Sequence, residues 1–202
     1  MDRRDFLKNT LMLSSTAFGY GLLMRPVLSA STGKEMLLRP PGALDEPEFL
    51  SKCIQCLRCV DACPNHAIVT HPTSHKKRIQ STPVIKPRRQ ACMLCNKIQG
   101  SYLKCTEACP TGALKKTEKT PENILLSVKM GTAEIDKSLC YSYNNYICGT
   151  CYRACPFPEK AMTLGLWEKP EINEKACVGC GLCERSCILY PQAIRVKPRT
   201  KA

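Results

Sequence analysis

The stretch Cys53-Ile54-Gln55-Cys56-Leu57-Arg58-Cys59-Val60-Asp61-Ala62-Cys63-Pro64 sets four cysteines at intervals of two, two and three residues and closes on a proline. This is the ligand spacing of bacterial proteins that hold [4Fe–4S] cubanes in pairs. Its physical basis is reach. Two residues between ligands let a tight loop wrap three thiolates around one cubane. The fourth cysteine, in a helical turn, faces away and serves the other cubane of the pair. Proline after it starts a new extended segment, because it has no N–H to give a helix.

Three further groups repeat the pattern. Cys92, Cys95, Cys105 and Cys109 precede Pro110; Cys140, Cys148, Cys151 and Cys155 precede Pro156; Cys177, Cys180, Cys183 and Cys187 precede Ile188. The last cysteines of successive groups lie 46, 46 and 32 residues apart, which is an internal repeat. A short apolar pair follows each group: Ala67-Ile68, Ala113-Leu114, Ala161-Met162 and Ala193-Ile194. Each unit therefore reads as a ligand loop, a turn or two of helix around its last cysteines, and a short strand, with strands expected at 67–70 and 193–196. The linker from His71 to Arg89, broken by Pro72, Pro83 and Pro87, is expected to loop out as a hairpin around 82–86. The expected fold class is α+β and ferredoxin-like, with two 2[4Fe–4S] modules built from the four repeats.

Composition narrows the chemistry. All 16 cysteines of the 202-residue chain fall into the four groups, and only 6% of residues are aromatic, so the core needs a staple other than large apolar side chains. Zinc sites present two separated C-x2-C pairs rather than four ligands in eleven residues. Disulfides suit a cysteine-rich exported chain, but C-x2-C-x2-C crowding is poor geometry for pairing. Four [4Fe–4S] clusters held by all sixteen cysteines are the reading carried forward. With four thiolates per group no iron is left open for substrate, so the chain reads as an electron carrier and not an enzyme; no nucleotide motif or catalytic constellation competes. A scaffold or assembly protein with structural clusters is the alternative from another class.

His66, three residues past Cys63, could hydrogen-bond near a cluster, yet it, His71 and His75 read more simply as loop or surface residues. Trp167 reads as packing beside group three. Tyr141, Tyr143, Tyr146 and Tyr152 read as apolar cover for the same group, with docking as the lesser option.

The N-terminus Asp2-Arg3-Arg4-Asp5-Phe6-Leu7-Lys8 precedes an uncharged stretch over 9–24, then Arg25-Pro26 and Leu28-Ser29-Ala30. A basic head, a weakly apolar middle and small residues at the exit make residues 1–30 a signal peptide. Arg3 and Arg4 before Phe-Leu-Lys match the twin-arginine address of the Tat translocase, which carries folded, cofactor-loaded proteins. The periplasm is the expected location. Leu28 stands where a small residue is usual at position −3, so an uncleaved tether is the alternative to cleavage after Ala30.

The segment from Leu139 to Pro156, with its C-x7-C gap, and the ending Ala176–Cys187 followed by Pro191-Gln192-Ala193-Ile194-Arg195-Val196 resemble the NapG/MauM family of ferredoxin-type proteins. The resemblance covers roughly residues 45–198 and the twin-arginine signal. It implies a periplasmic four-cluster carrier passing electrons from a NapH-like membrane quinol dehydrogenase towards a periplasmic reductase or its cytochrome, nitrate reductase being the best-known case. An NrfC-like or molybdopterin-oxidoreductase subunit, and MauM-like use in methylamine oxidation, are the alternatives. By analogy with four-cluster proteins, group one would pair with group four and group two with group three. The cluster sets would be Cys53, Cys56, Cys59 with Cys187; Cys177, Cys180, Cys183 with Cys63; Cys92, Cys95, Cys105 with Cys155; and Cys140, Cys148, Cys151 with Cys109. Within a 31–198 polyferredoxin domain, residues 45–70 and 176–196 would then form an outer module and 84–165 an inner one, followed by a frayed tail at 199–202.

The formal net charge is +13. Removing residues 1–30 takes away four basic and two acidic residues and leaves +11. Four oxidised cubanes with their thiolates, each about −2, bring the holo-protein to about +3. Most of the positive charge thus balances the cofactors. The runs Lys76-Lys77-Arg78 and Lys86-Pro87-Arg88-Arg89 read as solvated faces, with an acidic partner or a peripheral membrane contact as the other uses. No nucleic-acid partner is expected.

Overall fold

The computed structural model describes residues 37–72 and 79–199. The signal segment with Arg3 and Arg4, His75, Lys76–Arg78 and residues 200–202 lie outside them. No helix among the described residues is long and apolar enough to cross a membrane.

Four one-turn helices carry the third cysteine of each group. They are α2 (Arg58–Asp61), α3 (Lys104–Glu107), α5 (Thr150–Arg153) and α6 (Leu182–Ser186), holding Cys59, Cys105, Cys151 and Cys183. Left-handed residues at Leu57 (φ 61°), Gly149 (φ 56°) and Gly181 (φ 82°) turn the ligand loop into α2, α5 and α6. Glycine enters that region freely, whereas Leu57 gives up about 1 kcal/mol there. Two longer helices stand apart from the ligands. In α1 (Glu46–Lys52) Pro47 sits in the first turn, the acidic residues precede Lys52, and Phe49 is fully buried. This is the charge order that the helix dipole favours. In α4 (Pro121–Ser127) the Thr120 hydroxyl caps the start by accepting from the Asn123 N–H.

All three sheets are antiparallel pairs. Strand β1 (Ile68–Thr70) pairs with β2 (Pro83–Ile85), β3 (Gly131–Ile135) with β6 (Ile194–Pro198), and β4 (Met162–Leu164) with β5 (Pro170–Ile172). Both predicted strands are present, each within two residues of its expected bounds. The hairpin expected around 82–86 is not: Thr82 is buried and 83–85 is strand β2, whose pairing with β1 continues through the His71 N–H to Thr82 O bond. Pro83 is tolerated because it begins a strand in a two-stranded ladder.

The halves of the fold repeat each other. Hairpin β1–β2 lies between groups one and two, and hairpin β4–β5 between groups three and four. Around groups three and four, β3 pairs with β6, Ile135 opposite Ile194 and Gly131 opposite Pro198. Around groups one and two the counterpart is the Ala43–Leu114 bridge, extended by the Leu44 N–H to Ala113 O and Lys115 N–H to Gly42 O bonds. Helix α2 packs on α3, and α5 on α6. Group one is therefore folded with group two and group three with group four. This corrects the expected division into an outer module of 45–70 with 176–196 and an inner one of 84–165. The physical reason is local closure: each intervening hairpin folds its two flanking groups back on each other.

Cysteines supply much of the core. Cys59, Cys63, Cys92, Cys95, Cys105 and Cys180 share one buried cluster with Phe49, Leu103, Leu114 and Val128. Cys183 lies in a second cluster with Ala133, Met162 and Ile194. The halves meet where Met130 N–H donates to Val178 O and Cys92 N–H to Cys180 O. A Cβ on Gly179 (φ +73°) would stand 2.3 Å from Gly131 N, so only glycine fits this approach. Arg199, the first residue of the expected frayed tail, is held in place instead: its Nε donates to Thr132 Oγ1 and its Nη2 to Glu174 O.

Candidate iron–sulfur centres

The sixteen cysteines line four cavities, four to each. The first holds Cys53, Cys56, Cys59 and Cys109; the second Cys63, Cys92, Cys95 and Cys105. The third holds Cys155, Cys177, Cys180 and Cys183, and the fourth Cys140, Cys148, Cys151 and Cys187. Each cavity takes the first three cysteines of one group and the last cysteine of the neighbouring group. The exchange between loops is the one that the spacing predicts, but the partners differ from those implied by analogy. Cys187 stands with group three and not with Cys53, Cys56 and Cys59; Cys109 stands with group one; Cys63 with group two; and Cys155 with group four. The fourth cysteine lies one or two residues past the end of a one-turn helix, so it reaches only the loop packed against that helix, which belongs to the adjacent group.

The donor chemistry suits a multi-iron core. The spaces that the four sets enclose, their open mouths included, measure about 340, 330, 360 and 380 Å³ in the order given above. Among the described residues no three His, Cys, Asp or Glu side chains converge on a point that a single metal ion could occupy. A lone zinc would need its sulfurs gathered at about 2.3 Å. Here they stand around a space instead, which fits a cubane bridging them. The backbone supports that fit. The Ala67 N–H points at Cys63 Sγ (3.3 Å), Leu114 N–H at Cys109 Sγ (3.4 Å) and Lys104 N–H at Cys95 Sγ (3.5 Å). Such bonds stabilise negative charge on sulfur.

Burial sets the thiol electrostatics. The Cys59 thiol is pushed up to about 11, by burial first and then by Cys53, Cys109 and Cys56. Cys151 rises to about 11 through burial, then Cys140 and Cys148. Cys180 rises to about 12 through burial, then Cys155 and Cys177. Cys92 and Cys105 go well up for the same leading reason. Cys109 moves the other way: burial pushes it up, but hydrogen bonds from Leu114, Thr111 and Ala113 outweigh that and lower it. Four thiolates cannot gather in one dry cavity without a compensating cation, and a cubane core supplies that charge.

The cavities follow one another in space. Cys59 of the first is close enough to influence Cys105 of the second. Cys92 of the second faces Cys180 of the third, and Cys151 of the fourth acts on Cys183 of the third. Of all the cysteines only Cys56, in the first cavity, is exposed. The fourth cavity opens beside Tyr141 and Ile188, both exposed, and the Tyr146 ring lies 5.5 Å from that of Tyr141.

The remaining expectations divide. His66 is exposed, as a loop residue, with φ 48°. His71 is buried, its Nδ1 bonded with Pro72 O and its backbone paired with residues 81 and 82, so it belongs to the hairpin interior and not to the surface. Trp167 is 70% exposed rather than packed, on a loop before β5 where it and Glu168 both take left-handed backbone (φ 63° and 52°). Tyr143 is cover as expected, donating to Pro170 O, whereas Tyr141 and Tyr146 are substantially exposed. Sequence reasoning missed Arg39 and Arg88. Arg39 is buried, bonded to Glu46, Thr82 and Pro83, and lies 4.6 Å over the Phe49 ring. Neither arginine has a motif; only a charged residue at a core position could have flagged Arg39.

Comparison with known proteins agrees with the geometry. The family described as "4Fe-4S dicluster domain" matches residues 52–113, a segment that holds groups one and two whole. The methylamine utilization ferredoxin-type protein MauM of Methylorubrum extorquens is 34% identical over 98% of this chain and 89% of its own length. The ferredoxin-type protein NapG of Haemophilus influenzae is 34% identical over 98% of this chain and 72% of its own. NapG of Escherichia coli is 30% identical over 99% and 87%.

Proposed function

Because the chain belongs to the family of ferredoxin-type proteins that includes MauM and NapG, we propose that it is a periplasmic electron carrier with four [4Fe–4S] clusters, two in each half of the fold. The observation that carries the reading is the set of four cavities, each lined by four cysteines, with no cysteine left over. Cys53, Cys56, Cys59 and Cys109 would hold one cluster; Cys63, Cys92, Cys95 and Cys105 the next; Cys155, Cys177, Cys180 and Cys183 the third; and Cys140, Cys148, Cys151 and Cys187 the last. Each cluster, when bound, supplies reversible one-electron oxidation and reduction. The protein's own groups do the rest. Its apolar cavity walls exclude water, the amides of Ala67, Lys104 and Leu114 stabilise thiolate charge, and full ligation leaves no position for a substrate, so the chain carries electrons and does not transform a molecule.

In this reading Arg3 and Arg4 send the loaded protein through the Tat translocase. A NapH-like membrane quinol dehydrogenase donates electrons, and a periplasmic reductase or its cytochrome accepts them, in nitrate reduction. Service to methylamine utilization is the second reading, favoured by the equal 34% identity to a MauM protein. Anaerobic coulometric titration of the purified chain tests the carrier role. Reversible uptake of about four electrons per chain is expected, one per cluster. Clusters that stay oxidised down to the potential of a strong reductant would make them structural and overturn it.

A further inference from the structure

The basic stretch Lys86–Arg89 is not a free charged face. Its chain turns at Lys86, whose carbonyl accepts from the Arg89 and Gln90 N–H groups, and runs into the ligand Cys92. On the way it is fastened to group four at successive points. Pro87 packs so closely on Gly181 that a Cβ there would meet Pro87 Cβ at 2.4 Å. The Arg88 guanidinium reaches four carbonyls at the end of α6: Nη1 donates to Cys187 O (2.8 Å), Glu184 O (3.2 Å) and Arg185 O (3.3 Å), and Nη2 to Leu189 O (3.4 Å). Arg185 returns the contact by donating to Arg89 O. The segment ends with the Cys92 N–H donating to Cys180 O at 2.9 Å. A ligand of the second cavity is thus hydrogen-bonded to the backbone of a ligand of the third, across the only stretch where these two cavities are seen to touch through backbone among the described residues.

We propose that Pro87–Cys92 is the coupling element between the two halves, and that Arg88 is the positioning residue that holds the Cys92–Cys180 bond closed. The four carbonyls that Arg88 gathers belong to the last turn of α6 and the residues after it, where helical partners run out; Glu184 O alone among them also accepts a closing bond, from the Cys187 N–H. A guanidinium satisfies several at once with fixed geometry, and its charge suits a helix C-terminus. Without it, the turn carrying Cys183 and Cys187 loses its anchor to the opposite half, and the contact between Cys92 and Cys180 loosens. The transfer concerned is one electron from one inner cluster, which is oxidised, to the other, which is reduced, with no proton and no bond made or broken.

This inference rests on the four-cluster reading, and the test separates the two. Full-length wild type, Arg88→Lys, Arg88→Ala and Lys86→Ala are purified anaerobically; Lys86 is exposed and carries the same charge in the same segment. Wild type short of about sixteen iron fails the four-cluster reading by itself. Given wild type with that content, Arg88→Ala should keep its iron and weaken the spin–spin interaction between the reduced inner clusters. Electron equilibration between the halves after flash reduction should slow severalfold, because tunnelling falls steeply with the distance between the two centres. Exchange of the Cys92 amide proton should accelerate. Arg88→Lys, with a single cationic head, should fall between, and Lys86→Ala should match wild type. Wild-type coupling and amide exchange in Arg88→Ala would overturn the proposal. So would an equal effect in Lys86→Ala, which would make it one of charge, or loss of iron from Arg88→Ala with normal coupling among the clusters that remain.

Discussion

Replacing Cys109 with serine tests the exchange of ligands between neighbouring groups. Its sulfur lies in the cavity of Cys53, Cys56 and Cys59, fifty-odd residues earlier in the chain, and accepts the Leu114 N–H at 3.4 Å. If that cavity holds one of four cubanes, Cys109→Ser removes one thiolate from one cluster. Iron then falls from about sixteen to about twelve per chain, or that cluster persists with an oxygen ligand and a displaced potential. The perturbed centre must be the same one that Cys56→Ser perturbs. Cys63→Ser must instead share its signature with Cys95→Ser. The assay is low-temperature EPR of the reduced, anaerobically purified variants, with iron and sulfide counted on the same samples. A Cys109→Ser spectrum altered in the centre that Cys148→Ser alters would refute the reasoning, since that is the set in which group two shares its ligands with group three. So would unaltered spectra, since Cys109 would then be no ligand.

Three further outcomes follow from the structure. Arg39→Ala leaves Glu46, Thr82 and Pro83 without their buried donor and should destabilise the protein by about 3 kcal/mol, lowering the melting temperature by about 6–12 °C; a change under about 2 °C would contradict the role given to this clamp. Gly179→Ala should cut iron content because its Cβ meets Gly131 backbone at 2.3 Å, whereas Gly112→Ala, with nothing within 4 Å and φ +70°, should lose only the about 1–2 kcal/mol of a left-handed position and keep its iron. Equal iron in the two variants would remove the close-approach argument. In the iron-free chain the raised thiols of Cys59, Cys151 and Cys180 make stability fall with rising pH. Below about pH 8.5 these groups are protonated whether the chain is folded or not, and their contribution is fully present. Between about 8.5 and the folded values of about 11 to about 12, the unfolded chain sheds protons that the folded chain keeps, so folding is disfavoured. For Cys180 this amounts to about 2 kcal/mol at pH 10, visible as a lower urea midpoint than at pH 7.5 under anaerobic conditions. An unchanged or higher midpoint at pH 10 would contradict it.

That the cysteines gather in fours was legible in the sequence, and which of them gather together was not. Four thiolates in eleven residues dictate the chemistry because few other centres need that crowding. Each group, however, repeats the same local instruction: three cysteines here, one for a neighbour. Which neighbour depends on long-range contacts, namely the β3–β6 register, the Ala43–Leu114 bridge and the hairpins that return one group to the next. Nothing in C-x2-C-x2-C-x3-C encodes those. Charged residues misled in the same way. Lys86-Pro87-Arg88-Arg89 has the composition of a solvated run, yet Arg88 spends its donors on the carbonyls of another segment nearly a hundred residues away. Trp167 has the composition of a core residue but sits exposed on a loop whose left-handed backbone at positions 167 and 168 no sequence pattern announces. Strands β1 and β6 were readable because an apolar pair after each group has only one place to go, the interior beside the cluster.

The most direct test of the whole account is native mass spectrometry of the full chain, purified without oxygen. About sixteen iron and sixteen inorganic sulfur atoms per chain, lost in steps of four and four as single cubanes are removed, is the result expected of four fully ligated clusters. A holo-protein that carries only two cubanes, or zinc in place of iron, would contradict it.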